Sequence, residues 1–135
     1  MYGAFDISTS GMTASRVRLE VSSANIANAD SILSPDGTRY EPYRRRAAIL
    51  AAGDPDSASA LGVHVASIET DESPLVPRFE PGSPYADAGG YVLYPNVNVV
   101  VEELNAMEAV RNYEANAAAV EATRAMINTA LQMIG

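Results

Sequence analysis

The stretch Ala106-Met-Glu-Ala-Val110-Arg-Asn-Tyr113-Glu-Ala-Asn-Ala117-Ala-Ala-Val120-Glu-Ala-Thr-Arg124-Ala-Met-Ile127-Asn-Thr-Ala-Leu131-Gln-Met-Ile134 decides the fold. Stepping by four and three from Ala106 gives Val110, Tyr113, Ala117, Val120, Arg124, Ile127, Leu131 and Ile134. All but Arg124 are apolar or aromatic, and neither Gly nor Pro interrupts the run before Gly135. That spacing predicts one long helix with a heptad-type seam. From near Val99 to Ile134 it would span roughly 50 Å, too long for a compact domain of this size to cover. Leu104, Ala115, Ala118, Ala122, Met126 and Met133 gather on its opposite face. Glu114, Glu121 and Gln132 separate the faces on one flank, and Asn105, Asn112, Asn116 and Thr123 on the other. Arg124 breaks the seam, which fixes register or partner choice at some cost in stability. Asn98 is the expected N-cap, and Glu102 and Glu103 favour the positive end of the helix dipole.

The beginning of the chain repeats this two-sided design. Over Ile7 to Ala29, Phe5, Met12, Leu19 and Ile26 recur every seven residues, while Ala14, Val17, Val21 and Ala24 form a second stripe nearly opposite. Polar lines lie between the stripes, Arg16, Glu20 and Ser23 on one side and Ser15, Arg18, Ser22 and Asn25 on the other. A surface helix of a globular monomer has one apolar stripe, so two stripes predict contacts on both sides. Asp6 or Ser8 is the expected cap, and Gly11 is expected to loosen the first turns. Asn25-Ile-Ala-Asn28-Ala-Asp30 ends the helix.

The middle is extended and rich in turns. Ser34-Pro-Asp-Gly37 is a β-turn signal. Tyr40 to Leu50 reads as extended, with Arg44, Arg45 and Arg46 as a solvated edge or, more sharply, a partner contact. Ala51 to Gly62 is expected to be a polar loop, Leu61 to Ile68 a short strand carrying His64, and Leu75 to Phe79 and Tyr91 to Tyr94 two more. The proline-rich run between Thr70 and Gly90 confines these to a small sheet. The organisation expected is an N-terminal assembly helix over 1–30, a β-rich middle over 31–94 and a C-terminal assembly helix over 95–135, the two helices forming one domain.

Composition excludes several function classes. The chain has 135 residues and a net charge of −8, with nine Arg and no Lys. Such an acidic chain repels phosphate backbones, so no nucleic-acid partner is expected. With no Cys there are no disulfides, thiolate metal sites or Cys nucleophiles. No stretch is long and apolar enough to span a bilayer, and the start lacks a basic and apolar secretory leader. Neither Asp54-Pro-Asp56 nor Asp71-Glu72 has calcium-loop spacing, and there is no phosphate loop or nucleophile elbow. No catalytic, cofactor, metal or small-molecule site is expected.

Taken together, Ser10-Gly-Met-Thr-Ala-Ser-Arg16-Val-Arg-Leu19-Glu-Val-Ser-Ser-Ala-Asn25-Ile-Ala-Asn28-Ala and Pro95-Asn-Val-Asn-Val-Val-Val-Glu-Glu-Leu-Asn-Ala-Met-Glu-Ala-Val-Arg111-Asn-Tyr113-Glu-Ala-Asn116 resemble the two signatures of the bacterial flagellar rod and hook proteins. The middle resembles the proximal-rod branch through Asp36-Gly37, Gly62-Val-His-Val-Ala-Ser-Ile68, Ser73-Pro74, Pro81-Gly-Ser-Pro84, Ala86-Asp87 and Gly90-Tyr91-Val92. Ser83 stands where that branch leads one to expect His, and Lys is absent. The resemblance implies a mainly α fold, with long N- and C-terminal helices packed antiparallel as a coiled-coil-like pair and a small β-rich, loop-rich middle. It implies a structural subunit of the proximal rod, exported unfolded by the type III flagellar export apparatus, assembling in the periplasm and carrying torque to the distal rod and hook. Its partners would be further copies of itself, other rod proteins, the rod-to-ring junction protein and the membrane-supramembrane ring. The expected assembly residues are Met12, Val17, Leu19, Val21, Asn25, Ile26, Asn28, Val110, Tyr113, Val120, Arg124, Ile127, Leu131 and Ile134. The competing readings are another helical secretion-system or filament subunit and a small enzyme around Asp54, Asp56 and His64.

Overall fold

The computed structural model describes residues 2–56 and 59–135. Two long helices, α1 (Tyr2–Ala27) and α2 (Val99–Ile134), lie antiparallel and flank four strands, β1 (Arg46–Asp54), β2 (Ser59–Thr70), β3 (Val76–Phe79) and β4 (Tyr91–Tyr94). The fold is the mainly α helix pair with a small β middle that the sequence implies.

Helix α1 starts earlier than its cap residues suggest. It is helical from Tyr2, so Asp6 and Ser8 lie inside it rather than at its cap. Gly11 does not loosen it either. A Cβ at Gly11 would stand 2.8 Å from the Asn116 amide, so the missing side chain lets the two helices approach closely. Tertiary packing here outweighs the weak local propensity. At the other end the Asn28 side-chain amide donates to the Ala24 carbonyl at 2.8 Å and closes the helix. Asn98 caps α2 as expected, its side-chain oxygen accepting the Val101 N–H.

The strands form two separate two-stranded antiparallel sheets rather than one, β1 with β2 and β3 with β4. The expected loop over Ala51 to Gly62 is mostly strand, because β1 continues to Asp54 and β2 begins at Ser59. Of the four residues joining them, Ser57 and Ala58 lie outside the described residues. Pairing persists through two register shifts, at Ile49/Leu50 and Ala52/Asp54. Gly53 makes the second one feasible: its φ is 88°, and a Cβ there would meet the Ser59 carbonyl oxygen at 2.7 Å. The hairpin packs against α1. The β3–β4 pair carries Val92, the one buried valine among the described residues, and is tied to the Leu33–Tyr40 bridge through the Tyr40 hydroxyl, which bonds the Leu93 backbone.

The chain buries little. Its accessible surface is 8915 Å², against about 6,800 Å² for a compact monomer of this mass. Among the described residues the buried apolar side chains are only Ala14, Val92, Pro95 and Ala109.

Candidate assembly interface

Three contacts set the register of the helix pair. Asn25 Nδ2 donates to Glu102 Oε2 at 3.0 Å, Arg18 pairs with Glu108 at 3.4 Å, and Gly11 sits against Asn116. Each step up α1 therefore meets a step down α2, and Tyr2 stands level with the Met126 region. The last two turns of α2 run on past α1.

The contact line between the helices lies to one side of their apolar stripes. On α1 the buried positions toward α2 are Ser8, Ser15, Ser22 and Asn25, with half-buried Gly11 beside them. On α2 they are Glu102 and Ala109, with Asn105, Asn116 and Thr123 half-buried in the same row. Ser15, Ser22 and Asn25 on α1 and Asn105, Asn116 and Thr123 on α2 belong to the lines the sequence placed as polar flanks, while Asn112 of the same line is exposed. Small and hydrogen-bonding side chains permit a closer approach than Leu or Tyr would, as Gly11 against Asn116 illustrates. The consequence is a rotation. At about 100° per residue, the α2 seam lies some 50° around from the row facing α1. Ala106, Ala117, Val120 and Ile127 remain half-buried, whereas Val110, Tyr113, Arg124, Leu131 and Ile134 are exposed. Leu131 is 63% and Ile134 85% exposed.

The two α1 stripes have different surroundings. Ala14 and Val17 line a groove of about 690 Å³ between α1 and the hairpin, and Val21 faces Ala47 and Ala48 of β1. Met12, Leu19 and Ile26 are half-buried on the side of the pair away from the hairpin. In an antiparallel pair, equal rotations from the contact line come out on the same side. Met12 and Leu19 therefore share one face with Val110 and Tyr113. That face is mainly apolar, runs along both helices and is left partly open within the chain, with Met12 and Leu19 half-buried and Val110 and Tyr113 exposed.

At the opposite end from the overhang, a polar junction ties α1, β1 and α2 together. Asn25 is fully buried and Glu102 is 1% exposed. Asn25 uses all four hydrogen-bonding positions of its amide. Its Nδ2 donates to the Arg46 carbonyl (2.8 Å) and to Glu102, and its Oδ1 accepts from the Tyr43 hydroxyl (2.8 Å) and the Arg46 N–H (2.9 Å). Arg45 Nε donates to the other Glu102 oxygen. A buried carboxylate is tolerated here because it sits in the first turn of α2, at the helix's positive end, and is charge-paired. Burial pushes the Tyr43 phenol above its ordinary range. Asn25 thus has a role inside the chain, as does Asn28. The arginine triplet is no bare edge: Arg44 donates to the Ser73 carbonyl, Arg45 holds Glu102, and Arg46 lies over the Tyr43 ring.

Glu102, Arg45, Tyr43 and Gly11 are the working residues that periodicity missed. Glu102 was marked only for the helix dipole; its burial follows from a fold that brings position 45 beside position 102. The residues of the enzyme reading have structural employment. His64 Nδ1 donates to the Gly53 carbonyl at 2.8 Å, and Asp54 accepts the Asp56 N–H. Among the described residues no group of three or more His, Cys, Asp or Glu is placed to hold a metal, and no helix is long and apolar enough to cross a membrane.

Both helices also match known families. Residues 5–31 match the model described as "Flagella basal body rod protein", and residues 88–133 the model "Flagellar basal body rod FlgEFG protein C-terminal". The chain is 42% identical over 123 residues to the flagellar basal-body rod protein FlgC of Escherichia coli O6:H1, covering 91% of this chain and 90% of that one. It is 36% identical over 151 residues to FlgC of Borreliella burgdorferi, covering 99% and 97%. With FlgC of Bacillus subtilis it shares 33% over 145 residues, covering 98% and 97%. The paired terminal helices, their uncovered apolar face and this end-to-end similarity lead to one conclusion: the chain belongs to the FlgC family of flagellar basal-body rod proteins.

Proposed function

We propose that this chain is a structural subunit of the proximal flagellar rod, joining copies of itself and neighbouring rod proteins through its terminal helices. The observation that carries this reading is the uncovered apolar surface of α2, from Leu104 to Ile134, on a chain whose buried apolar side chains, among the described residues, are only Ala14, Val92, Pro95 and Ala109. A monomer leaves such a surface wet; an assembly covers it, at about 25 cal/mol per Å² buried. The rod stands in the periplasm in this reading, and the subunit reaches it unfolded through the flagellar export apparatus. Stiff helices, each braced on its partner and on its neighbours, carry torque from the membrane-supramembrane ring toward the distal rod and hook. The work is mechanical, and nothing in it calls for catalysis.

Deleting the gene and imaging the cell envelope by electron cryotomography tests the reading. The expected result is cells with membrane rings but no rods or hooks, restored by the wild-type chain. Complete rods and hooks in the deletion strain would overturn it.

A further inference from the structure

The two long sides of the helix pair differ in character. One, the front, is built from bulky side chains of both helices: Met12 and Leu19 of α1, and Val110, Tyr113 and Leu131 of α2. The other, the back, is the outward face of α2; small residues, Ala115, Ala118 and Ala122, line it between Leu104 and Met126 and Met133, with Arg111 exposed in the same row. Each lacks what the other has. A row of large side chains packs best where the facing backbone is near, and an alanine row brings the backbone near.

We propose that the front of one copy seats on the back of α2 in the next copy, a contact that repeats without closing. This rests on the rod-subunit reading and adds which surfaces meet and with which partner. Charge supports it. Arg124 lies within the front, exposed and without an ion-pair partner among the described residues. Glu114 and Glu121 run along the flank between the two faces and so rim the back as well as the front. Both are exposed and likewise without ion pairs among the described residues, and Arg111 within the back is the like charge that seating must leave at a distance. Seating front on back brings the free guanidinium to that acidic rim. Area supports it too. The surface beyond that of a compact monomer is about 2,100 Å², and a stable interface takes about 800 Å² from each partner. A subunit gripped on both faces uses about twice that, which the excess accommodates. Front-on-front pairing would instead close a two-fold dimer and leave both backs wet. Front-on-back is heterologous and generates an open array.

The chain has no cysteine, so introduced thiols are the only ones it carries. Tyr113→Cys is combined in turn with Ala115→Cys, Ala118→Cys and Ala122→Cys, scanning about 10 Å of axial register. A second series uses Val110→Cys in place of Tyr113→Cys, in case loss of the tyrosine ring weakens the contact. Each full-length variant is expressed in the deletion strain, and isolated basal bodies are oxidised with diamide and run without reductant. The expected result is a ladder at multiples of the chain mass for at least one front–back combination, and monomer for every single variant. Dimers from a front variant alone would overturn the proposal in favour of front-on-front pairing. A front variant linked only to a protein of another mass would overturn it in favour of a different neighbour. Basal bodies that contain the chain yet give no ladder in either series would overturn it outright, while rods that lack the chain altogether would count against the rod-subunit reading itself.

Discussion

The two ends of the helix pair are built on opposite rules. At the junction end every polar atom of Asn25 and both oxygens of Glu102 have partners inside the chain. At the overhang end, Met126, Leu131, Met133 and Ile134 are all more than 60% exposed. Saturated polar networks are specific because one missing partner leaves the others stranded in low dielectric. Exposed apolar side chains are uncommitted: they gain free energy against any surface that excludes water. The chain therefore fixes its own geometry at one end and leaves the other to be completed by a neighbour. A subunit that must dock on several others gains from this division, since the register of its helices is set before any neighbour arrives.

The largest effect that separates the ends is expected from Leu131→Asp. In the isolated chain the side chain is mostly in water, so stability should move by no more than about 0.5 kcal/mol. In an assembled rod the carboxylate would be buried, costing several kcal/mol unless it is paired or protonated. Unchanged helicity of the purified chain together with absence from basal bodies is the expected pair of results. Normal rods containing the variant would remove the overhang from the interface.

Asn25→Ala should do the reverse. It strands Glu102 Oε2, the Tyr43 hydroxyl and both backbone groups of Arg46, for a loss of about 3 kcal/mol in the isolated chain. Urea titration followed by circular dichroism measures it. Amide exchange should give the same map without mutation, slow through Glu102 to Ala109 and fast from Met126 onward. Uniform protection to Ile134 would mean that the overhang is stabilised by something within the chain.

What the sequence made legible follows from which signals are local. The long helices, the Asn98 cap, the Ser34–Gly37 turn and the strands near Val76 and Tyr91 rest on neighbours within one or two turns, and these positions were readable. The rotation of the helix pair was not. Hydrophobic periodicity locates apolar rows, and it assumes that the largest row faces the partner. Here Ser15, Ser22, Asn105 and Asn116 face inward instead, because Gly11 and the Asn25–Glu102 bond fix the contact line. Only the spatial meeting of positions 25, 45 and 102 reveals that. The hairpin is harder to read for a related reason: Ala51, Ala52 and Gly53 carry no alternation, so their strand is visible only through its pairing with His64 to Ser59. Arg124 was legible as an anomaly in the seam, and its exposure is what gives that anomaly a use.

A smaller effect tests the junction through pH. The Tyr43 phenol is held above its ordinary value of 10.0, chiefly by burial. A group whose folded-state pKa is raised contributes stability that is present below the unfolded pKa and lost as pH rises toward and through the folded one. The junction should therefore weaken above about pH 10, with loss of protection at Glu102 and Asn105 while the overhang is unaffected. Tyr43→Phe should flatten that alkaline limb. Asp71 provides the acid counterpart. Hydrogen bonds from Ser73 hold its carboxyl below the ordinary 3.8. Its contribution is present above the unfolded pKa and lost as pH falls through the folded one, so the turn at Ser73 should open below about pH 4.

The smallest expected change is the most discriminating about why the helices sit as they do. Gly11→Ala raises helix propensity by about 1 kcal/mol, but its new Cβ meets the Asn116 amide at 2.8 Å. That amide is the end of a flexible side chain whose Nδ2 donates to Asn112 O one turn back, so it yields at modest cost. The two terms should nearly cancel, leaving stability within about 0.5 kcal/mol of wild type. Replacing Asn116 by Ala as well removes the obstacle, and the double variant should then be more stable than Asn116→Ala alone by close to the full propensity gain, about 1 kcal/mol. A double-mutant cycle in urea reads the coupling directly. Zero coupling would mean that Gly11 and Asn116 do not meet, and the contact line between α1 and α2 would have to be redrawn along their apolar stripes.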